Sequence, residues 1–152
     1  MRADFDAIVI GERHDFGAYE FTAERIKDFA RIYDPQPFHV DEATAAGSAY
    51  GALIASGWQT TLAAIRLQAD YFAARAARGE LAPRLRPFEG IDDLKWLKPV
   101  HAGDRIAYSG TFTTMRLSAA HPSWGAVSMD YAGVNQNGAT VFAMTGHLNV
   151  AV

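Results

Sequence analysis

The sequence predicts an α+β domain in which an antiparallel β-sheet wraps around one long helix. Three observations carry this. Residues Gly57 to Arg78 form the strongest helical segment in the chain, rich in Ala, Leu, Gln and Arg. Beyond it the texture changes to β-branched and aromatic runs. Those runs are separated by the turn sequences "HAGD", "AAHPS" and "NQNG", which join neighbours as hairpins and make them antiparallel. Such a sheet and a buried helix together make one layered core.

From the N-terminus, the short apolar run near Phe5 to Ile10 predicts an early strand that joins the sheet. Thr22 is placed to cap a helix, with Glu24 in its first turn favoured by the helix dipole. Ile26, Phe29, Ala30 and Tyr33 follow at helical spacing as one apolar stripe. Pro35 ends that helix. Asp41 is placed to cap a second short helix, Glu42 to Ala46, closed by Gly47. Ser56 caps the long helix and Gly79 ends it. Its first half, Trp58 to Leu67, is apolar enough to be buried along much of its surface, and its second half reaches solvent. After a Pro/Arg-rich turn, "APRLRPFEG", four strands are predicted in "IDDLKWLKPV", "RIAYSGTFTTMRLS", "WGAVSMDYAGVNQ" and "TVFAMTGHLNVAV".

The whole chain narrows the function. Its 152 residues, read as a single domain spanning 1–152, suffice for a real core. The formal charge of -3 offers no basic footprint for nucleic acid. The absence of cysteine excludes a disulfide framework and a thiolate nucleophile or metal site. No pair of histidines has metal-ligand spacing, so no metal site is expected. No secretory signal or membrane-spanning run is evident, and a cytoplasmic protein is the default expectation.

One short stretch points to chemistry. "DPQPFH", Asp34 to His39, places an acid and an imidazole on a loop stiffened by two prolines. Fully extended, that segment would separate its ends by roughly 16 Å. For both side chains to hold one water the loop must bend, and a stiff bend suits a site that needs accurate placement. A plain proline turn with a half-buried histidine fits the same residues. The second element is "YGALIASGWQTT", where Ala55, Ser56 and Gly57 lead into the long helix. The first N–H groups of a helix lack internal partners, and a glycine there lets a ligand oxygen approach closely. Tight packing at Gly57 is the competing explanation.

"YDPQPFHVDEATA", "YGALIASGW" and "GIDDLKWLKPVHAGDRI", in that order, resemble the MaoC-like dehydratase/hydratase family, which includes the R-specific enoyl-CoA hydratases and has the hot-dog fold. The resemblance spans Phe21 to Ile106. The family pattern is an Asp five residues before a His, with Asn-Pro between them. Asp34, His39 and Pro37 match it, and Gln36 stands where Asn is usual. Gly57 matches the family's glycine at the helix start. Ser56 replaces a residue that is often His, and a serine that some members carry two turns into the helix has no counterpart near Ile65. These departures bear on the substrate.

The resemblance implies reversible addition of water across the 2,3-double bond of an enoyl-CoA, giving a (R)-3-hydroxyacyl-CoA. Asp34 and His39 would hold and activate the water, and the Gly57 N–H would bind the thioester oxygen. Phe38, Tyr50, Ser56 and Trp58 are the expected substrate-binding residues. No cofactor is implied, and the resemblance implies a homodimer with the two sheets side by side. Two rivals share the fold: an acyl-CoA thioesterase, and a non-catalytic acyl-thioester binder. The first is disfavoured because its chemistry relies on an acid carried by the buried helix, where only Asp70 stands.

Overall fold

The computed structural model describes residues 3–152, the side chain of Ala3 excepted. A helical turn α1 (Ala3–Asp6) leads to strand β1 (Arg13–Glu20), helix α2 (Ala23–Tyr33) and two short helices, α3 (Pro37–Val40) and α4 (Glu42–Ala46). The long helix α5 (Gly57–Ala77) follows, then strands β2 (Leu85–Trp96), β3 (Arg105–Leu117), β4 (Trp124–Val134) and β5 (Thr140–Ala151). The strands form one antiparallel sheet in the order β1-β3-β4-β5-β2.

Alternation makes the sheet one-sided. On β3, Ile106, Tyr108 and Phe112 are buried, and on β4, Val127, Met129 and Tyr131 join them. That face covers α5, whose Ala63, Ala64 and Phe72 pack into the same core. Small residues bring helix and sheet together, and two hydrogen bonds fix the rotation of the helix. The Tyr108 hydroxyl donates to the Thr60 carbonyl at 2.7 Å, and the Tyr131 hydroxyl donates to Gln68.

Capping follows the sequence closely. Thr22 accepts from Arg25 N–H, Asp41 from Thr44 N–H and Ser56 from Trp58 N–H. Gly79, at φ 75°, takes the left-handed conformation just beyond α5. The "NQNG" turn joins β4 to β5, with Gly138 at φ 80° and the Asn135 side chain accepting from Asn137 and Ala139 N–H.

Four expectations are corrected. The early strand lies at Arg13–Glu20, not Phe5 to Ile10. The apolar run there does not alternate, so Val9 and Ile10 stay exposed while Phe5 and Ile8 tuck into the core. Phe5 fills the space beside Gly125, where a Cβ would meet its ring at 2.2 Å. By contrast, β1 buries His14 and Phe16 from alternate positions against β3. Strand β2 begins within the stretch read as a Pro/Arg-rich turn. It is an edge strand, where prolines cost no ladder bond on the open side. "HAGD" is no hairpin between β2 and β3, because β2 pairs with β5 at the far edge. The connecting chain instead crosses beside the start of α5, where Ile54 and His101 form an isolated bridge.

The fourth correction concerns the first half of α5. Trp58 and Leu62 are about half exposed, whereas Gln59, Thr60 and Thr61 are buried. The two threonine hydroxyls donate to the Ser56 and Gly57 carbonyls, and Gln59 Nε2 donates to the Arg25 carbonyl while its Oε1 is left without a partner among the described residues. An apolar strip is thereby left facing outward beside β2. No helix among the described residues is long and apolar enough to cross a membrane.

Candidate active site

The bend in "DPQPFH" is built from its two prolines. Around Pro35 the Gln36 N–H turns back to the Asp34 carbonyl at 2.8 Å. Pro37 then opens the single helical turn α3 from the N1 position, where its missing N–H costs nothing. His39 N–H closes on the Gln36 carbonyl at 2.9 Å, and the turn swings the imidazole inward. His39 is only 5% exposed, and its Nε2 stands 3.4 Å from Asp34 Oδ2. The prolines bias Asp34 and Gln36 toward extended backbone; Gln36 adopts it at φ -68° and ψ 142°, whereas Asp34, at ψ 69°, departs from it to close the turn.

The imidazole is oriented from behind. Its Nδ1 lies 2.7 Å from the Ile54 carbonyl, which can only accept, so Nδ1 carries the hydrogen. In the neutral ring Nε2 then presents its lone pair toward Asp34. Ile54 is held in turn: its N–H donates to the Phe38 carbonyl, and its neighbour Ala55 donates to the Val100 carbonyl at 2.8 Å. All three stretches that carry the resemblance therefore meet at one point.

Asp34 is braced on both oxygens. Gln36 Nε2 donates to Oδ1 at 2.8 Å, and Ser56 Oγ donates to Oδ2 at 2.7 Å. Burial pushes the Asp34 carboxyl upward, but the bonds from Gln36 and Ser56, joined by the charge of His39 when that ring is protonated, outweigh it. The group lies below its usual range and stays ionised at neutral pH. Ser56 is fully buried behind the carboxylate, so its hydroxyl positions Asp34 and caps α5 rather than reaching a substrate.

Asp34, His39 and Gly57 open onto a single cavity of about 610 Å³. Phe38, Tyr50 and Trp58 line it, as do Trp96 and Val141. The Phe38 and Tyr50 rings stand 5.3 Å apart on one wall. Gly57 is the first residue of α5, at the positive end of a long helix whose leading N–H groups have no preceding helical carbonyl. Its missing Cβ is matched by the Trp96 indole, which would lie 2.2–2.6 Å from such an atom.

Several members of this site left weak signals or none. The Ile54 carbonyl is backbone and invisible to residue type. The Gln36 and Ser56 braces could have been guessed only from their nearness in sequence to Asp34 and Gly57. Trp96, carried in from the far edge of the sheet, showed itself only as an aromatic in a strand.

The other polar clusters lie elsewhere. His14 is buried among Tyr71, Phe72 and Phe112, with Nδ1 3.2 Å from the Tyr71 hydroxyl, and burial lowers its pKa. On the outer sheet face, Ser128 Oγ lies 2.9 Å from His147 Nδ1, and His147 Nε2 lies 2.7 Å from Asp92. That trio has the residue types of a nucleophilic triad. Ser128, however, sits in mid-strand between β3 and β5 rather than at a turn or helix start that would gather N–H groups for an oxyanion. It acts as a cross-strand tie. Asp70 is exposed and bonded to Arg66, so the long helix carries no acid into the core.

Comparison with known proteins agrees with this geometry. The family model described as FAS1-like, dehydratase domain region, matches residues 8–144. No curated protein sequence matches significantly. Among solved structures, a MaoC-like dehydratase from Rhodospirillum rubrum is 30% identical, with 96% of this chain and 94% of that one covered and a TM-score of 0.82. The (R)-hydratase from A. caviae involved in PHA biosynthesis is 22% identical over 94% of this chain and 96% of that one, with a TM-score of 0.64. The unliganded R-hydratase PhaJ1 from Pseudomonas aeruginosa is 19% identical over 99% and 90%, with a TM-score of 0.68. At those two lower identities the likeness speaks for the fold. The sheet, the long central helix and the matched sequence together show that this chain belongs to the MaoC-like dehydratase family and has its hot-dog fold.

Proposed function

We propose that the protein adds water reversibly to the 2,3-double bond of an enoyl-CoA, yielding a (R)-3-hydroxyacyl-CoA. One observation carries the reading: Asp34 Oδ2 and His39 Nε2, both acceptors when the ring is neutral, converge to 3.4 Å beside the cavity that also reaches Gly57. A water placed there donates one hydrogen to each. The ionised carboxylate draws off a proton as the oxygen attacks C3. Negative charge then grows on the thioester oxygen, and the Gly57 N–H at the positive end of α5 stabilises it. The pair returns the proton to C2, so the atoms of one water are added in full. Because Asp34 and His39 share one loop, both new bonds form on the same face of the substrate. The likeness in fold to two R-hydratases supports the stereochemical assignment.

Phe38, Tyr50 and Trp58 are placed to hold the acyl thioester, and the chemistry needs no cofactor. The thioesterase alternative lacks an acid on the buried part of α5. Incubation with crotonyl-CoA should bleach the enoyl absorbance without releasing free thiol, and chiral chromatography should show the R product. Thiol release at constant enoyl absorbance would replace this reading with the thioesterase. Binding without turnover would leave a non-catalytic thioester binder.

The working unit is a homodimer. Strand β2 is an unpaired edge on which only Leu85, Phe88 and Leu94 are partly covered, and Ile91, Trp96 and Leu97 stand exposed beside Trp58 and Leu62 of α5. A second copy pairing there would extend the sheet and cover that strip. Light scattering at micromolar concentration should give twice the 16.6 kDa chain mass, and a monomer would contradict the assignment.

A further inference from the structure

We propose that Trp96 is the wall that limits acyl-chain length, an inference that rests on the acyl-thioester reading of the site. The cleft between α5 and β2 holds two cavities. The first is lined by Asp34 and His39 and also by Trp58 and Trp96. The second, of about 500 Å³, lies further along the same helix and is lined chiefly by apolar groups, among them Ile65, Ala69, Phe72, Leu85 and Phe88. Gly57 and Ile65 are eight positions apart, ~12 Å along the axis. Positions 58, 61, 65 and 72 fall on one side of the helix, so the two separate cavities flank the same helical face.

The Trp96 indole lines the first cavity and reaches Thr61, one helical turn before Ile65 of the second. Its Nε1 donates to Thr61 Oγ1 at 3.0 Å, its ring meets Trp58 edge-to-face at 5.1 Å, and its face rests on Gly57. Three contacts from three directions hold a large flat group in place. Toward the opposite end the first cavity reaches Tyr33 and Tyr50, which are 70% and 42% exposed and form an open rim suited to the polar carrier. A thioester whose oxygen lies at the Gly57 N–H therefore sends its carrier outward and its alkyl chain toward the indole. Short chains fit in front of it, and longer ones meet it. Nothing polar other than Gln68 and the arginines at the outer mouth interrupts the second cavity, so removing the indole would join an apolar extension to the catalytic chamber.

The test is binding of butyryl-CoA and dodecanoyl-CoA by calorimetry to wild type, Trp96→Ala and Trp96→Phe. Hydration of four- and twelve-carbon enoyl-CoA is followed alongside. Trp96→Ala should tighten dodecanoyl-CoA at least ~10-fold relative to butyryl-CoA, the scale on which a pocket discriminates chain length, with Trp96→Phe in between. The ratio of kcat/KM for twelve over four carbons should move the same way. Circular dichroism and scattering confirm that each variant folds and assembles, and Trp96→Phe keeps the test alive if the alanine variant does not. An unchanged binding ratio in a folded variant overturns the wall, whatever the hydration assay shows. So does wild type that binds both chains equally well. A shifted binding ratio in a protein that hydrates neither substrate upholds the wall and sinks the hydratase reading instead.

Discussion

Asp34→Asn and His39→Gln should each lower hydration of crotonyl-CoA by at least ~10²-fold, and up to ~10⁴-fold, in proteins that melt near the wild-type temperature. The fold should survive because each change keeps the local bonds. An Asn amide at position 34 still accepts from Gln36, and the Ser56 hydroxyl can rotate to accept where it now donates. A Gln at position 39 still offers an N–H toward the Ile54 carbonyl. What disappears is the carboxylate acceptor and base in the first variant and the ring nitrogen able to take up and return a proton in the second. Asp34 is kept ionised against the effect of burial chiefly by the hydrogen bonds from Gln36 and Ser56. Wild type therefore has its base ready at neutral and mildly acidic pH, whereas Asn has no base to regain, and raising the pH should not restore its rate. Since the two groups act on one water, the double variant should lose little more than the worse single one. Near-wild-type turnover in either variant would remove the pair from the mechanism.

The pair was legible in the sequence because its information is local. Six residues fix Asp34, two prolines and His39, and their stiffness can be read without knowing the fold. Caps were legible for the same reason: Thr22, Asp41 and Ser56 act within three residues of themselves. Information that crosses the sheet was not available. Strand β2 looked like the first arm of a hairpin until its pairing with β5 carried it to the opposite edge. That swap delivers Trp96 to Gly57, a contact between residues from separate elements. Apolar composition misled at Trp58 and Leu62 because an apolar strip that faces outward reads like one that faces the core. The buried threonines 60 and 61 hid in the converse way, by bonding to their own helix carbonyls.

Gly57→Ala should both destabilise the protein and slow it, and a second substitution should pull these two effects apart. A Cβ at position 57 would fall 2.2 Å from Trp96 Cδ2 and 2.4 Å from Cε2, so the indole must move. It is held by Thr61 and Trp58, and overpacking of this kind typically costs ~1–3 kcal/mol. Helix propensity favours Ala over Gly by up to ~1 kcal/mol, so a net loss means that the steric cost prevails. In a Trp96→Ala background the obstruction is gone, and Gly57→Ala should become neutral or mildly stabilising in urea melts. Activity should not follow stability. If the thioester oxygen must come close to the Gly57 N–H, a methyl beside it holds the oxygen away with or without the indole. The loss should approach the ~10²-fold typical of a weakened oxyanion contact, and it should persist in both backgrounds. Recovery of stability and turnover together would reduce Gly57 to a packing glycine and remove it from the chemistry. A Gly57→Ala effect on stability that is the same in the wild-type and Trp96→Ala backgrounds would mean that the indole does not rest on the helix start.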